Sequence, residues 1–140
     1  MAVGCVINDA NVVPFVTEDA LDSPGYVMVA GSAEGKVKKA PAGSSKESII
    51  GVAYMDTKDM EGNAQSNVAV GVFVKRGAVV YLKLAPDNQA VSYGAPLCVD
   101  STTDGTVDYR DGTNETGDVI AIALEDKDAN DGGLIKALLL

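Results

Sequence analysis

A chain of 140 residues with 20 acidic and 11 basic side chains, no histidine and no tryptophan carries a formal charge of −9. Neutralising phosphates takes a basic patch, and only Lys36-Val37-Lys38-Lys39 and Lys75-Arg76 cluster, so no nucleic acid is expected as a partner. Without histidine there is no Ser-His-Asp or Cys-His arrangement, no histidine-ligated zinc and no imidazole acid or base near neutral pH. No run approaches the ~18 apolar residues of a membrane helix, so no membrane partner is expected. The length fits a single β domain over residues 1–140.

In chain order, residues 1–23 read as an extended N-terminal arm, with apolar pieces at Val3 to Ile7 and at Val12, Val13, Pro14, Phe15 and Val16. Pro14 has no amide proton to give a sheet, which restricts that run to an edge strand or an extended segment. A first half-unit, 24–86, begins with Tyr26-Val27-Met28-Val29 as a strand, Ala33-Glu34-Gly35 as a turn and Lys36-Val37-Lys38-Lys39 as the return strand. After a polar connection, Ile49 to Tyr54 forms the next strand. Ile50 and Val52 are expected to line the core while Gly51 and Ala53 permit close packing on the other face. Val68, Val70, Val72 and Val74 recur with a period of two, which suits a strand and not an amphipathic helix. Gly77 then turns the chain into Ala78 to Leu84.

A second half-unit, 87–140, repeats this order. With no gap and an offset of seventy, Ser48 to Asp56 aligns with Asp118 to Asp126, Leu21 with Val91, Val27 with Leu97, Val29 with Val99, Gly35 with Gly105, Val37 with Val107 and Gly62 with Gly132. In this copy Ile120 and Ile122 take the core-lining places and Ala121 and Ala123 the small ones. Thr103-Asp104-Gly105 is a hairpin turn, because glycine accepts a positive φ. A period of seventy exceeds the 20–50 residues of solenoids, which points to two halves closing one domain. The fold class is therefore all-β, a small barrel built from two related half-units.

The motifs that carry chemistry are all incomplete. Gly31 to Lys36 has three residues between its glycines where a phosphate loop has four, and Val37 stands where that loop needs Ser or Thr. Asp126 to Gly132 matches the first positions of a calcium loop, but Asp131 holds the place of the turn glycine and Ala137 that of the bidentate glutamate. Asp104 and Asp108 could act as an acid-base pair, yet sugar-stacking tryptophan is missing. Cys98 lies in an apolar strand, where a small buried hydrophobe is the ordinary role, and it makes no metal-ligand spacing with Cys5. The late acidic residues, from Asp100 to Asp131, read as a solvated face. No catalytic residue, metal or cofactor is expected, and hence no enzyme.

The succession of Glu34-Gly35-Lys36-Val37, Ile50-Gly51-Val52-Ala53, a valine-rich strand and Gly77-Ala78-Val79-Val80 resembles the small capsid decoration, or cement, proteins of tailed bacterial and archaeal viruses. The resemblance implies a β-barrel or β-tulip without catalytic residues, located in the virion on the outer surface of the capsid. It also implies the major capsid protein as partner and self-association as a homotrimer. This chain departs from the pattern by carrying a second copy of the unit. Under that resemblance Val12, Val13, Pro14, Phe15 and Val16 are the candidate capsid interface: the segment could add a strand to the capsid protein, with Phe15 or Val13 filling a pocket, or it could complete this protein's own sheet. The competing class is a carbohydrate-binding β-barrel module, which the low aromatic content disfavours.

Overall fold

The structure is a computed structural model that describes residues 11–140. Ten strands make up its regular structure: β1 (Val12–Thr17), β2 (Val27–Ala30), β3 (Lys36–Lys39), β4 (Ile49–Ala53), β5 (Val68–Phe73), β6 (Val79–Lys83), β7 (Pro96–Val99), β8 (Val107–Tyr109), β9 (Ala121–Ala123) and β10 (Leu134–Leu139). The one helical piece among the described residues is the 3₁₀ turn Lys46–Ser48. Strands β1-β3-β2-β4-β5 close into a barrel, and the other five form a sheet in the order β6-β10-β9-β7-β8. Val3 to Ile7, Cys5 and the rest of residues 1–10 lie outside the described residues.

The strands fall into two halves of one topology, β1 to β5 and β6 to β10, so β1 is part of the first half rather than a separate arm over 1–23, and β6 opens the second half instead of closing a first half-unit at residue 86. The first strand of each pairs antiparallel with the last, β1 with β5 and β6 with β10. In each the second strand sits between the third and the fourth, β2 between β3 and β4, and β7 between β8 and β9. Val37 faces Thr17 in a parallel pairing that closes the first barrel, and Val107 faces Leu84 in a single parallel bridge at the corresponding place in the second half, which remains an open sheet. Leu21 and Thr57 join through the Leu21 amide and the Thr57 hydroxyl, while Val91 and Lys127 exchange both backbone bonds.

The offset is not constant, and two local features explain why. Met28 pairs with Lys39 and Gly51, and Leu97 pairs with Tyr109 and Ala121, so β2 and β7 correspond at sixty-nine rather than seventy. The pairs expected from sequence, Val27 with Leu97 and Val29 with Val99, are therefore each one residue out, enough to swap the faces of a strand. Ile50 is the extra residue of a bulge, because Met28 faces Gly51 while Val29 faces Ile49. The expectation that Ile50 and Ile120 are equivalent core residues is corrected accordingly. Ile50 is half-buried against the first barrel's core, and fully buried Ile120 matches Ile49 instead. In β9 it is Ala121 and Ala123 that are buried, while Ile122 is half-exposed on the outer face of the sheet.

Two apolar clusters result. The smaller fills the first barrel with Leu21, Tyr26, Met28, Val37, Ala53, Val70 and Val72. The larger joins Val27, Val29, Ile49 and Val52 of the first half to Leu82, Leu97, Val107, Ile120 and Ile135 of the second, so the halves bury one continuous core. Gly51 permits the closest approach: a Cβ there would run into the Phe73 carbonyl oxygen. The valine ladder of β5 could not pack so near a larger residue.

The equivalent hairpin glycines have different roles. Gly35 and Gly105 both adopt positive φ, at 80° and 72°. The Gly35 turn is exposed with open space beside it, whereas Gly105 is buried between the halves, where its amide donates to Ala40 O at 2.7 Å and its carbonyl accepts from Val27 N at 2.9 Å. A Cβ on Gly105 would sit 3.0 Å from both Lys39 Cβ and Tyr26 Cδ1. Gly35→Ala is expected to cost about 1 kcal/mol of backbone strain and Gly105→Ala a further ~1–3 kcal/mol of overpacking; equal shifts of the two variants in urea denaturation would contradict this account of the seam.

Candidate interaction surface

The sequence-nominated segment Val12 to Val16 is not detached from the fold. As strand β1 it pairs with β5 along its whole length, from Val12 opposite Phe73 to Thr17 opposite Val68. Val16 N donates to Gly35 O and Glu18 N to Val37 O, while Thr17 O and Asn11 O accept from Asn67 N and Val74 N. Even-numbered backbone groups therefore face β3 and odd-numbered ones face β5. Pro14 falls on the β3 side, beyond the point where β3 begins, so its missing donor costs nothing. Phe15 packs partly buried against the first barrel's own core, and Pro14 and Val16 are the exposed members. The pattern of valines announced a strand; what could not be read locally was that β5, more than fifty residues away, would occupy its edge.

An apolar groove of about 280 Å³ runs along the seam between the halves. Val52, Tyr54 and Phe73 form one wall, and Val79, Tyr81 and Leu134 the other. Tyr54, Val79 and Tyr81 are each more than half exposed, at 61%, 57% and 55%. Burying them would be favourable, since apolar area taken from water contributes roughly 25 cal/mol per Å². Sequence reading missed this surface because its two walls lie on different half-units.

A second cavity, of about 230 Å³, is polar and contains three buried carboxyl groups, Asp100, Asp108 and Glu115. One oxygen from each lies within 4.8 Å of the others. Asp100, just after β7, caps its own turn by accepting from Thr102 N, Thr102 Oγ1 and Thr103 N. Asp108, within β8, accepts from Gln89 N and Tyr109 N, and Glu115 accepts from Ser101 N. Neither lysine nor arginine lines the cavity. Burial, reinforced by a hydrogen bond with Asp100, pushes the Glu115 carboxyl up to about 7; burial also raises Asp108. Burial acts on Asp100 in the same direction, but the hydrogen bonds from Glu115, Thr102 and Thr103 outweigh it and hold that group low. A raised Glu115 takes up a proton more readily, which lessens the negative charge gathered there without a cation.

Asp104 and Asp108, which sequence allowed but disfavoured as an acid-base pair, differ in burial: Asp104 is exposed and accepts from Ala42 N, while Asp108 is buried within the trio. In the acidic turn Asp126 to Asp131, Asp126 Oδ1 accepts from Tyr93 N and Asp131 Oδ1 from Gly133 N, so these carboxylates fasten loops. Among the described residues the one converging group of three possible metal ligands is Asp100, Asp108 and Glu115. Cys98 is fully buried, and burial raises its thiol to about 11, which makes it a poor nucleophile.

No protein-family model matches the sequence, and no curated protein matches it. Among solved structures it is similar to a chain of "The capsid of Myoviridae Phage XM1", with 15% identity, a TM-score of 0.59, and coverage of 99% of this chain and 89% of that one. At that identity the likeness is one of fold, and it spans both half-units.

The carboxyl trio generates a pH dependence. Glu115 binds its proton more tightly in the folded chain than in the unfolded one, so its stabilising contribution is complete below about pH 4.5 and is lost as pH rises through about 7. Asp108 acts in the same direction, whereas the depressed Asp22, Asp100 and Asp111 add stability as pH rises and do so at lower pH. The melting temperature of the wild type is expected to fall between pH 5.5 and 8, and that of Glu115→Gln to stay nearly level; a parallel fall in both would show that Glu115 is not the group responsible.

Proposed function

We propose that this chain is a capsid decoration protein, which binds the outer surface of a viral shell and stabilises the lattice of its major capsid protein. The observation that supports this reading most is the fold shared with a chain of a phage capsid structure over 99% of this sequence. Its physical character agrees. The histidine-free chain has a continuous core and an exposed apolar groove, which suits a role in which many weak interface contacts act together across a lattice. No catalysis, metal or cofactor is part of the proposal, and self-association as a homotrimer is.

The contact assigned to Val12, Val13, Pro14, Phe15 and Val16 takes a definite form in this fold. Because β5 holds one edge of β1 and Pro14 interrupts the other, contact through β1 would use the exposed side chains of Pro14 and Val16 rather than a ladder of main-chain bonds. Replacing Val16 with Lys should leave the melting temperature within a few degrees, since surface changes usually stay within ~0.5 kcal/mol, and should reduce attachment. Unchanged occupancy on capsids would remove β1 from the interface.

Mass spectrometry of purified virus particles tests the function itself. The chain is expected in amounts comparable to the major capsid protein, and particles assembled without it should release their genome at a lower temperature until purified protein is added back. Its absence from particles would refute the proposal.

A further inference from the structure

The first strands of the two halves are equivalent, but the same edge is blocked in one and open in the other. Thr17 faces Val37 as Leu84 faces Val107, so counting back along each strand sets Pro14 against Tyr81 and Val12 against Val79. On β6 the bonds Leu84 N to Gly133 O and Leu139 N to Ala78 O fix the alternation: even-numbered groups face β10, and those of Val79, Tyr81 and Lys83 face away. Lys83 N is taken by Gly25 O. Gly25 also packs against the Tyr81 carbonyl, where a Cβ on it would lie 3.0 Å from that oxygen; among the described residues no backbone group pairs with the outward amide of Tyr81 or with the outward amide and carbonyl of Val79. Where the first half has a proline, the second has an open edge, and that edge forms one wall of the seam groove.

Charge indicates what would cover it. The chain has nearly twice as many acidic as basic residues, yet no Asp or Glu lies between Glu61 and Asp87, and β10, Leu134–Leu139, contributes only Lys136. Lys75 and Arg76 precede the open edge, Lys83 follows it, and Lys136 stands opposite Tyr81 on the same face. A second copy paired edge to edge about Val80 would bring Lys75 and Arg76 of each molecule against Lys83 of the other, a like-charge arrangement that opposes association. The complementary occupant is an extended segment of another chain, with an apolar side chain for the groove and carboxylates flanking it.

We propose that the outer edge of β6 at Val79 and Tyr81 is a strand-addition site for such an acid-flanked, extended segment of the capsid protein. This rests on the capsid reading for the identity of the partner. Main-chain bonds to Val79 and Tyr81 would give the added strand its register, and the groove would select the side chain between them.

The fold supplies its own control, since the equivalent position in β1 carries Pro14. Tyr81→Pro removes the outward amide while respecting the barrel's geometry, and Tyr81→Val keeps that amide while removing the ring. On capsids of the same virus assembled without this chain, Tyr81→Val is expected to bind and Tyr81→Pro to bind about tenfold or more weakly, with both folded by circular dichroism. Amide exchange of the wild type, followed by mass spectrometry over Val79 to Leu82, should slow on capsids and not in free protein at any concentration. If the wild type binds and Tyr81→Pro binds equally well, the edge proposal is overturned and the capsid reading survives. If Tyr81→Pro does not fold, unchanged exchange over Val79 to Leu82 on capsids overturns it instead. Protection that appears in free protein with rising concentration would assign the edge to a second copy, and protection at every concentration to this chain's own residues; either result overturns the proposal. A wild type that does not bind capsids refutes the capsid reading.

Discussion

The fold depends on the Gly105 turn, which closes the end of the β2–β3 hairpin of the other half. Its amide and carbonyl satisfy Ala40 O and Val27 N, two groups that would otherwise be buried without partners. Around that contact, Val27, Val29 and Val52 are drawn into the larger core and cease to be the outer face of an independent barrel. Tyr26 is fixed by the same contact. Its ring lies beneath Lys39 Nζ, 4.2 Å from the centroid, and its hydroxyl donates to Asp22 at 2.6 Å; burial and that carboxylate keep the phenol protonated far above neutral pH.

Duplication explains the strand order, but the seam explains why the copies differ. A unit whose turn is exposed can keep an open loop, as at Gly35, whereas a unit whose turn is inserted into its neighbour must fit against Tyr26 and Lys39. The closing contact of the first barrel, two parallel pairs between β1 and β3, shrinks in the second half to one bridge between Leu84 and Val107. The second half is not fully closed: Gly25 covers its β6 edge only at Lys83 and the Tyr81 carbonyl, and the groove separates the rest from the first half. Lys83 N bonding to Gly25 O is that cover expressed as a single hydrogen bond.

Much of this was legible in the sequence, and the failures have identifiable causes. The period-two valines of β5, the glycine turns and the repeat gave the all-β class and the hairpin-plus-strand unit of each half, because each is set by local geometry, but not the equivalence of β1 and β6, which depends on distant pairing. A fixed offset could not reveal the bulge at Ile50 or the one-residue shift of β2 against β7, since a bulge leaves no compositional mark and side-chain direction depends on pairing. Pro14 was rightly a poor ladder member, but which of its edges lacked a donor followed from the register with β5. Asp100, Asp108 and Glu115 come from three separate elements, so their convergence had no sequence spacing to betray it.

The distribution of charge connects these features to the surface. Several carboxylates bond backbone amides at turns: Asp19 binds Lys39 N, Asp104 binds Ala42 N, Asp118 binds Lys46 N and Asp126 binds Tyr93 N. Acid used in this way concentrates where loops must be fastened, and the long acid-free stretch from β5 through β6, whose strands are bonded to β1 and β10, is left without it. The same stretch contributes Phe73, Val79 and Tyr81 to the groove. On the proposed capsid reading, that apolar, basic-flanked face would attract an acidic partner and disfavour another copy's open edge, leaving a homotrimer to form through other surfaces. The position of the acid-free face thus follows from where the carboxylates were needed to hold the loops.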